Sequence, residues 1–192
     1  MSIPPSTRDQ LVALIDESVA NVNLRRHMLA TEAVMRSLAE RLGHDPDAWG
    51  LAGLAHDLDA EETEGDMSAH GTRAAARVGE LGLPAELAHA IAAHNPATGV
   101  VAEAPIDVAL IAADQVTGLI TAATLVRPDK ALAEVKVKSV RKRMREGAFA
   151  RGVDRESIGR CAELGLELDE FLAIAVAAMQ HIASQLGLGP DS

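Results

Sequence analysis

Apolar residues return every three or four positions in one run after another, the spacing of helices that bury a single face. Leu11, Leu14, Ile15 and Val19 mark the first run. Leu24, Met28, Val34, Met35, Leu38 and Leu42 mark a second, expected over about 23–42. Further helices are expected over 46–58, 84–94, 105–126 and 168–186, with a short one after Asp154. Breakers fall between them: Gly43 and Pro46, Asn95-Pro96, Arg127-Pro128 and Gly147. Pro4 and Pro5 precede the first helix, with Ser6 or Thr7 as its cap, and Ser68 is expected to cap another. Alanine and leucine supply most of the apolar content. Aromatics are 2% with no Tyr, which suits close-packed helices and not strands. The expectation is an all-α, single-domain helical bundle over 1–192, with no repeat, linker or low-complexity segment.

A formal charge of -10 argues against general nucleic-acid binding through a basic surface. The single cysteine, Cys161, excludes an internal disulfide, fits a reducing compartment and is expected to be a small buried hydrophobe. The first residues lack a basic region followed by an apolar core, so no secretory signal is expected. No apolar run is expected to approach the roughly 20 residues that span a bilayer. These features point to a cytoplasmic protein without membrane partners.

The chemistry gathers at Leu51-Ala52-Gly53-Leu54-Ala55-His56-Asp57. An adjacent histidine and carboxylate closing a buried helix are costly to desolvate without a partner, and a divalent cation is one such partner. The plainer alternative is a helix end where His meets the dipole and Asp meets water. His44-Asp45 is the control: the same dipeptide lies in a polar, Pro-containing turn with no apolar lead-in, and is read as solvated. His27 lies near the stripe of the second helix, and His70 near the start of a later one. His89 and His94 are five apart, roughly 140° around a helix, so at most one of them is expected to serve a common point. Asp114 interrupts the long apolar helix, with Thr117, Gly118 and Thr121 on its side. The acidic run 60–66 reads as a solvated connector, and His181 as structural. Lys136, Lys138, Arg141, Lys142, Arg143 and Arg145 form a basic stretch, either a solvated face or a patch for phosphate groups.

Taken in order, His27, His56-Asp57, His70, His94 and Asp114 resemble the ligand series of the HD-domain superfamily of metal-dependent phosphohydrolases. The resemblance runs through Arg26-His27-Met28, Ala52 to Asp57, His70-Gly71, Ala90 to Asn95 and Ala112-Ala113-Asp114. A subgroup likeness continues through Thr117 to Ile120 and Val137 to Val140. It implies a metal-binding core over about 20–126, followed by the basic segment and C-terminal helices over 127–187. By the same resemblance His27, His56, Asp57 and Asp114 would hold one divalent ion, and His70 and His94, with Asp57 bridging, a second. Iron or manganese would suit these ligands best, with zinc, magnesium, cobalt or nickel as alternatives. Two ions about 3.5–4 Å apart would share a hydroxide that attacks phosphorus in a small phosphorylated substrate, such as a nucleotide. Asp57 and Asp59 would be the catalytic carboxylates, Asp59 orienting the water or passing a proton. Lys138, Arg141 or Arg151 would steady the substrate's charge. The chain departs from members with a lysine soon after the His-Asp pair, since Leu58-Asp59-Ala60-Glu61 follows here. Two other functions fit the same ligands: a di-iron oxygenase acting on an anionic small molecule, and a non-catalytic signalling module.

Overall fold

Asp45 and Asp154, two of the caps foreseen from local sequence, set helix starts in the computed structural model, which describes residues 6–189. The helices among the described residues are α1 (Ser6–Ser18), α2 (Val22–Leu42), α3 (Pro46–Ala55), α4 (Thr72–Glu80), α5 (Ala85–Ala93), α6 (Pro105–Leu125), α7 (Val137–Met144), α8 (Arg155–Gly159) and α9 (Leu168–His181), with no strand. Pro4 and Pro5 lie outside the described residues. Asn21 caps α2 by accepting from the Asn23 and Leu24 amides, and Asp45 caps α3 just before Pro46. Asp154 caps α8 as expected. His44 stacks on Trp49 at 4.7 Å and belongs to no ligand cluster.

α6 forms the centre of the fold, with Ile106, Leu110, Val116, Leu119 and Ile120 buried against the surrounding helices. Contrary to expectation, its 21 residues are apolar and long enough to cross a membrane; 67% of its most apolar window is buried within the fold, as in a core helix. Met28, Leu54, Leu87, Val140, Ile158 and Phe171 share its buried apolar cluster, so α7, α8 and α9 complete the same core. Cys161 is buried there, as read from the sequence, and burial pushes its thiol pKa up.

Three boundaries and one connector differ from expectation. α3 stops at Ala55, three residues early, because the chain tightens into short turns, Leu58 N to Ala55 O and Ala60 N to Asp57 O. The Gly53 carbonyl receives the His56 ring at 2.8 Å. α4 starts at Thr72, and Ser68 does not cap it but donates to Asp66. α9 ends at His181, after which the chain turns back so that Leu188 O accepts from Leu132 N. The acidic connector is tied down rather than simply solvated. Glu61 accepts from the Ala20 and Asn21 amides, and Glu62 pairs with Arg73 and Arg77.

Close helix packing positions the site. A Cβ on Gly53 would sit 2.8 Å from the Thr31 carbonyl oxygen, so α2 and α3 approach here only because residue 53 lacks one. His27 lies one turn before Thr31 and His56 three residues after Gly53, so this contact brings the two imidazoles together. Gly71 plays the same part elsewhere, with φ +89° and a Cβ position 2.8 Å from the Ile91 carbonyl. It seats His70 beside His94.

Candidate metal centre

Four of the seven histidines converge on Asp57. His27 Nε2 and His56 Nε2 are 3.2 Å apart, and so are His70 Nε2 and His94 Nε2. Asp57 lies between the pairs. Its Oδ2 is 3.6 Å from His27 Nε2 and 3.5 Å from His56 Nε2; its Oδ1 is 3.3 Å from His70 Nε2 and 3.7 Å from His94 Nε2. Asp114 joins the first pair only, with Oδ1 2.9 Å from His27 Nε2 and 3.7 Å from His56 Nε2. The arrangement yields two triads sharing Asp57, His27/His56/Asp57 and Asp57/His70/His94, with the donor atoms of each within 4.8 Å of one another.

The other nitrogen of each ring says which atom is offered. His56 Nδ1 meets Gly53 O at 2.8 Å, His94 Nδ1 meets Ile91 O at 2.5 Å, and His70 Nδ1 meets Asp59 Oδ1 at 2.9 Å. His27 Nδ1 lies 3.2 Å from Thr117 Oγ1, whose own hydroxyl donates to Asp114 O at 2.7 Å. All four Nδ1 atoms therefore donate, so each ring in its neutral form carries its lone pair on Nε2, turned inward. Two lone pairs 3.2 Å apart repel unless a cation lies between them. Two ligand nitrogens about 2.1 Å from one ion, at an angle of about 100°, would be separated by about 3.2 Å. The donor set and its spacing thus fit a divalent metal in each triad.

Electrostatics follow from the same contacts. Burial raises the Asp57 carboxyl, but the His56 charge and hydrogen bonds from His70 and His94 outweigh it and hold the group well below the carboxylate range. Asp114 is lowered likewise, with burial opposed by hydrogen bonds from His27 and His56. Burial lowers His70, yet its bonds to Asp57 and Asp59 win and push it to about 10. His94 is raised by Asp57 and Asp114 against its own burial. The cluster is open on one side: the His27 and Asp114 side chains are 23% and 18% exposed, whereas His56 is fully enclosed.

The remaining candidates fall elsewhere. Asp59 is fully buried, and its oxygens accept from the Gly71 and Ala74 amides as well as facing His70 Nδ1. It caps α4 from twelve residues upstream and fixes the His70 ring. A role for it in orienting water or passing a proton to a leaving group does not fit that enclosure. Arg141 is taken up by Asp169, correcting its assignment to substrate. Lys138 is exposed in a cleft of about 730 Å³ lined by residues of 136–146, none of them a member of the cluster. Arg151 is exposed on the loop before Asp154, whose amide bonds Gln115, the neighbour of Asp114. As the angular separation required, His89 turns away from the cluster, to Asp107 at 3.0 Å.

Two contributors escaped the sequence reading. Asn95, read as a helix breaker and as the last residue of a segment of the resemblance but given no role, donates its amide to the Met67 and His70 carbonyls and holds the His70 turn in place. Gln115 donates to Asp114 Oδ2 at 2.7 Å. Position beside a ligand was the one available signal for each.

The HD domain family model matches residues 24–115. Comparisons with curated proteins and with solved structures gave no match. Residues 24–115, carrying all six converging side chains, are an HD domain.

Proposed function

We propose that this protein hydrolyses a phosphate ester or anhydride at a centre of two divalent metal ions. His27, His56, Asp57 and Asp114 would hold one ion, and Asp57, His70 and His94 the other. The observation that carries the proposal is the Asp57 carboxylate, which turns one oxygen to each imidazole pair. When bound, two such ions lower the pKa of a shared water and take up charge on phosphoryl oxygens. The chain's part is to hold the site in place. Asp57 spans both halves, Thr117, Gly53, Asp59 and Ile91 fix the ring orientations, and solvent reaches the cluster past His27 and Asp114.

Three ligands at the second half against four at the first leave it more room for water or substrate oxygen. Arg151, exposed on the loop whose Asp154 amide reaches Gln115 beside Asp114, is the proposed partner for the remaining substrate charge; Lys138 stands further from support, since its cleft includes no cluster residue. Asp59 acts here as a positioning residue, and Asp57 as the catalytic carboxylate.

A phosphate-release screen over nucleotides and simpler phosphate esters tests the proposal, run with manganese or iron, in air and without oxygen. Release in both atmospheres is expected. In the Asp57→Asn variant it should fall by more than about a hundredfold, beyond what the loss of an outer partner costs a metal site. No release from any phosphate ester, or turnover only with oxygen, contradicts hydrolysis.

A further inference from the structure

We infer that Gln115 is a positioning residue through which the 146–154 loop, which offers no ligand to the cluster, governs metal affinity at the four-ligand half of the centre. The inference rests on the assignment of Asp114 as a ligand proposed above.

The Gln115 amide has one possible orientation. The Asp154 N–H, which only donates, lies 2.7 Å from Oε1, and the Asp114 carboxylate, which only accepts, lies 2.7 Å from Nε2. Asp114 is thereby divided, with Oδ2 held by Gln115 and Oδ1 turned to His27 and His56. A carboxylate on a helix rotates about two side-chain bonds, and a second partner on its outer oxygen removes that freedom.

The loop on the far side of Gln115 is itself tightly built. The Arg155 guanidinium donates to Ala150 O at 2.7 Å and Val153 O at 2.5 Å, and also to Phe149 O. Arg143 lies 4.3 Å over the Phe149 ring and pairs with Glu146 at 2.5 Å. Val153 packs against α6, its Cγ2 3.4 Å from the Cβ position of Gly118. Asp154 caps α8 through the Glu156 amide while its own amide reaches Gln115. The contacts run without a gap from Arg155, through the loop backbone and Gln115, to Asp114. The same loop carries Arg151, so a substrate engaging Arg151 would act on the mechanical support of a metal ligand.

The test is manganese titration of the full chain, wild type beside Gln115→Met, Gln115→Glu, Arg155→Met and Asp114→Ala, with melting of the chelated proteins in parallel. Gln115→Met keeps the volume and loses both hydrogen bonds; Gln115→Glu keeps the shape and the Asp154 bond but sets an acceptor against Asp114 Oδ2. Wild type is expected to bind two ions and Asp114→Ala to lose one of the two sites. Both Gln115 variants should weaken that same site by about 10–100-fold while leaving the other unchanged. Arg155→Met should shift it in the same direction. Wild-type affinity at both sites in the Gln115 variants overturns the inference, even if their chelated forms melt lower, because that result is a purely structural role. If wild type binds no ion, or Asp114→Ala keeps both, the metal assignment fails and the inference falls with it.

Discussion

At the scale of single residues, the centre depends on what the imidazoles do with the nitrogen they do not present. Three give it to a neutral oxygen and His70 gives it to the Asp59 carboxylate. Asp59→Asn can place an oxygen toward Gly71 N and Ala74 N or toward His70, but not all three as a carboxylate does. It should destabilise the protein by about 1–3 kcal/mol, read by urea unfolding, and weaken the His70/His94 site about 10–100-fold. Unchanged stability and metal affinity would remove Asp59 from the positioning role. The His70 pKa sets a pH dependence for chelated protein. Its folded value is raised from 6.5 to about 10, so its stabilisation is complete below about pH 6.5 and is lost as pH rises through about 10. The melting temperature with chelator should therefore fall between about pH 7 and 10, and a flat profile would contradict the His70 contacts. Asp57 and Asp114 were legible in the sequence as carboxylates out of place among apolar residues. Asn95 and Gln115 were not, because their partners are fixed only by tertiary structure.

Among the secondary-structure elements, the close contact of α2 with α3 decides whether the first imidazole pair forms. Gly53→Ala drives a methyl into the Thr31 carbonyl region, where the nearest atom is backbone and must shift as a unit. The expected cost is about 1–3 kcal/mol, with metal affinity lost at the His27/His56 half before the other half. A stable variant with both affinities intact would show that the contact is not the determinant. Periodicity made α2, α5 and α6 legible to within a few residues, since each has an apolar face and a local breaker. It failed where the terminating signal is remote. α3 ends as His56 turns back on Gly53, and α4 begins on a carboxylate twelve residues upstream, which no local pattern of Ser68 or His70 encodes.

For the whole molecule, the six converging residues come from α2, the turn after α3, the turn before α4, the end of α5 and the middle of α6. Metal would tie together segments that are otherwise joined across one cluster of like ligands. Ions binding the folded state alone should raise its stability with concentration, by about 2.7 kcal/mol at a hundred times Kd for one site. Thermal melting across a manganese series checks this, and a melting temperature independent of metal would count against it. The order of ligands along the chain made the centre legible through its resemblance to HD domains. The fate of the basic stretch was not legible: charge is visible in sequence, but Arg141 turning to Asp169 across to α9 is a matter of packing. The central claim, that one carboxylate joins two metal sites, has a direct measurement. Metal content per chain is determined on protein purified without oxygen, wild type beside Asp57→Asn. The account predicts about two ions per wild-type chain and the loss of both in the variant; a wild type without metal, or a variant that keeps its full content, contradicts it.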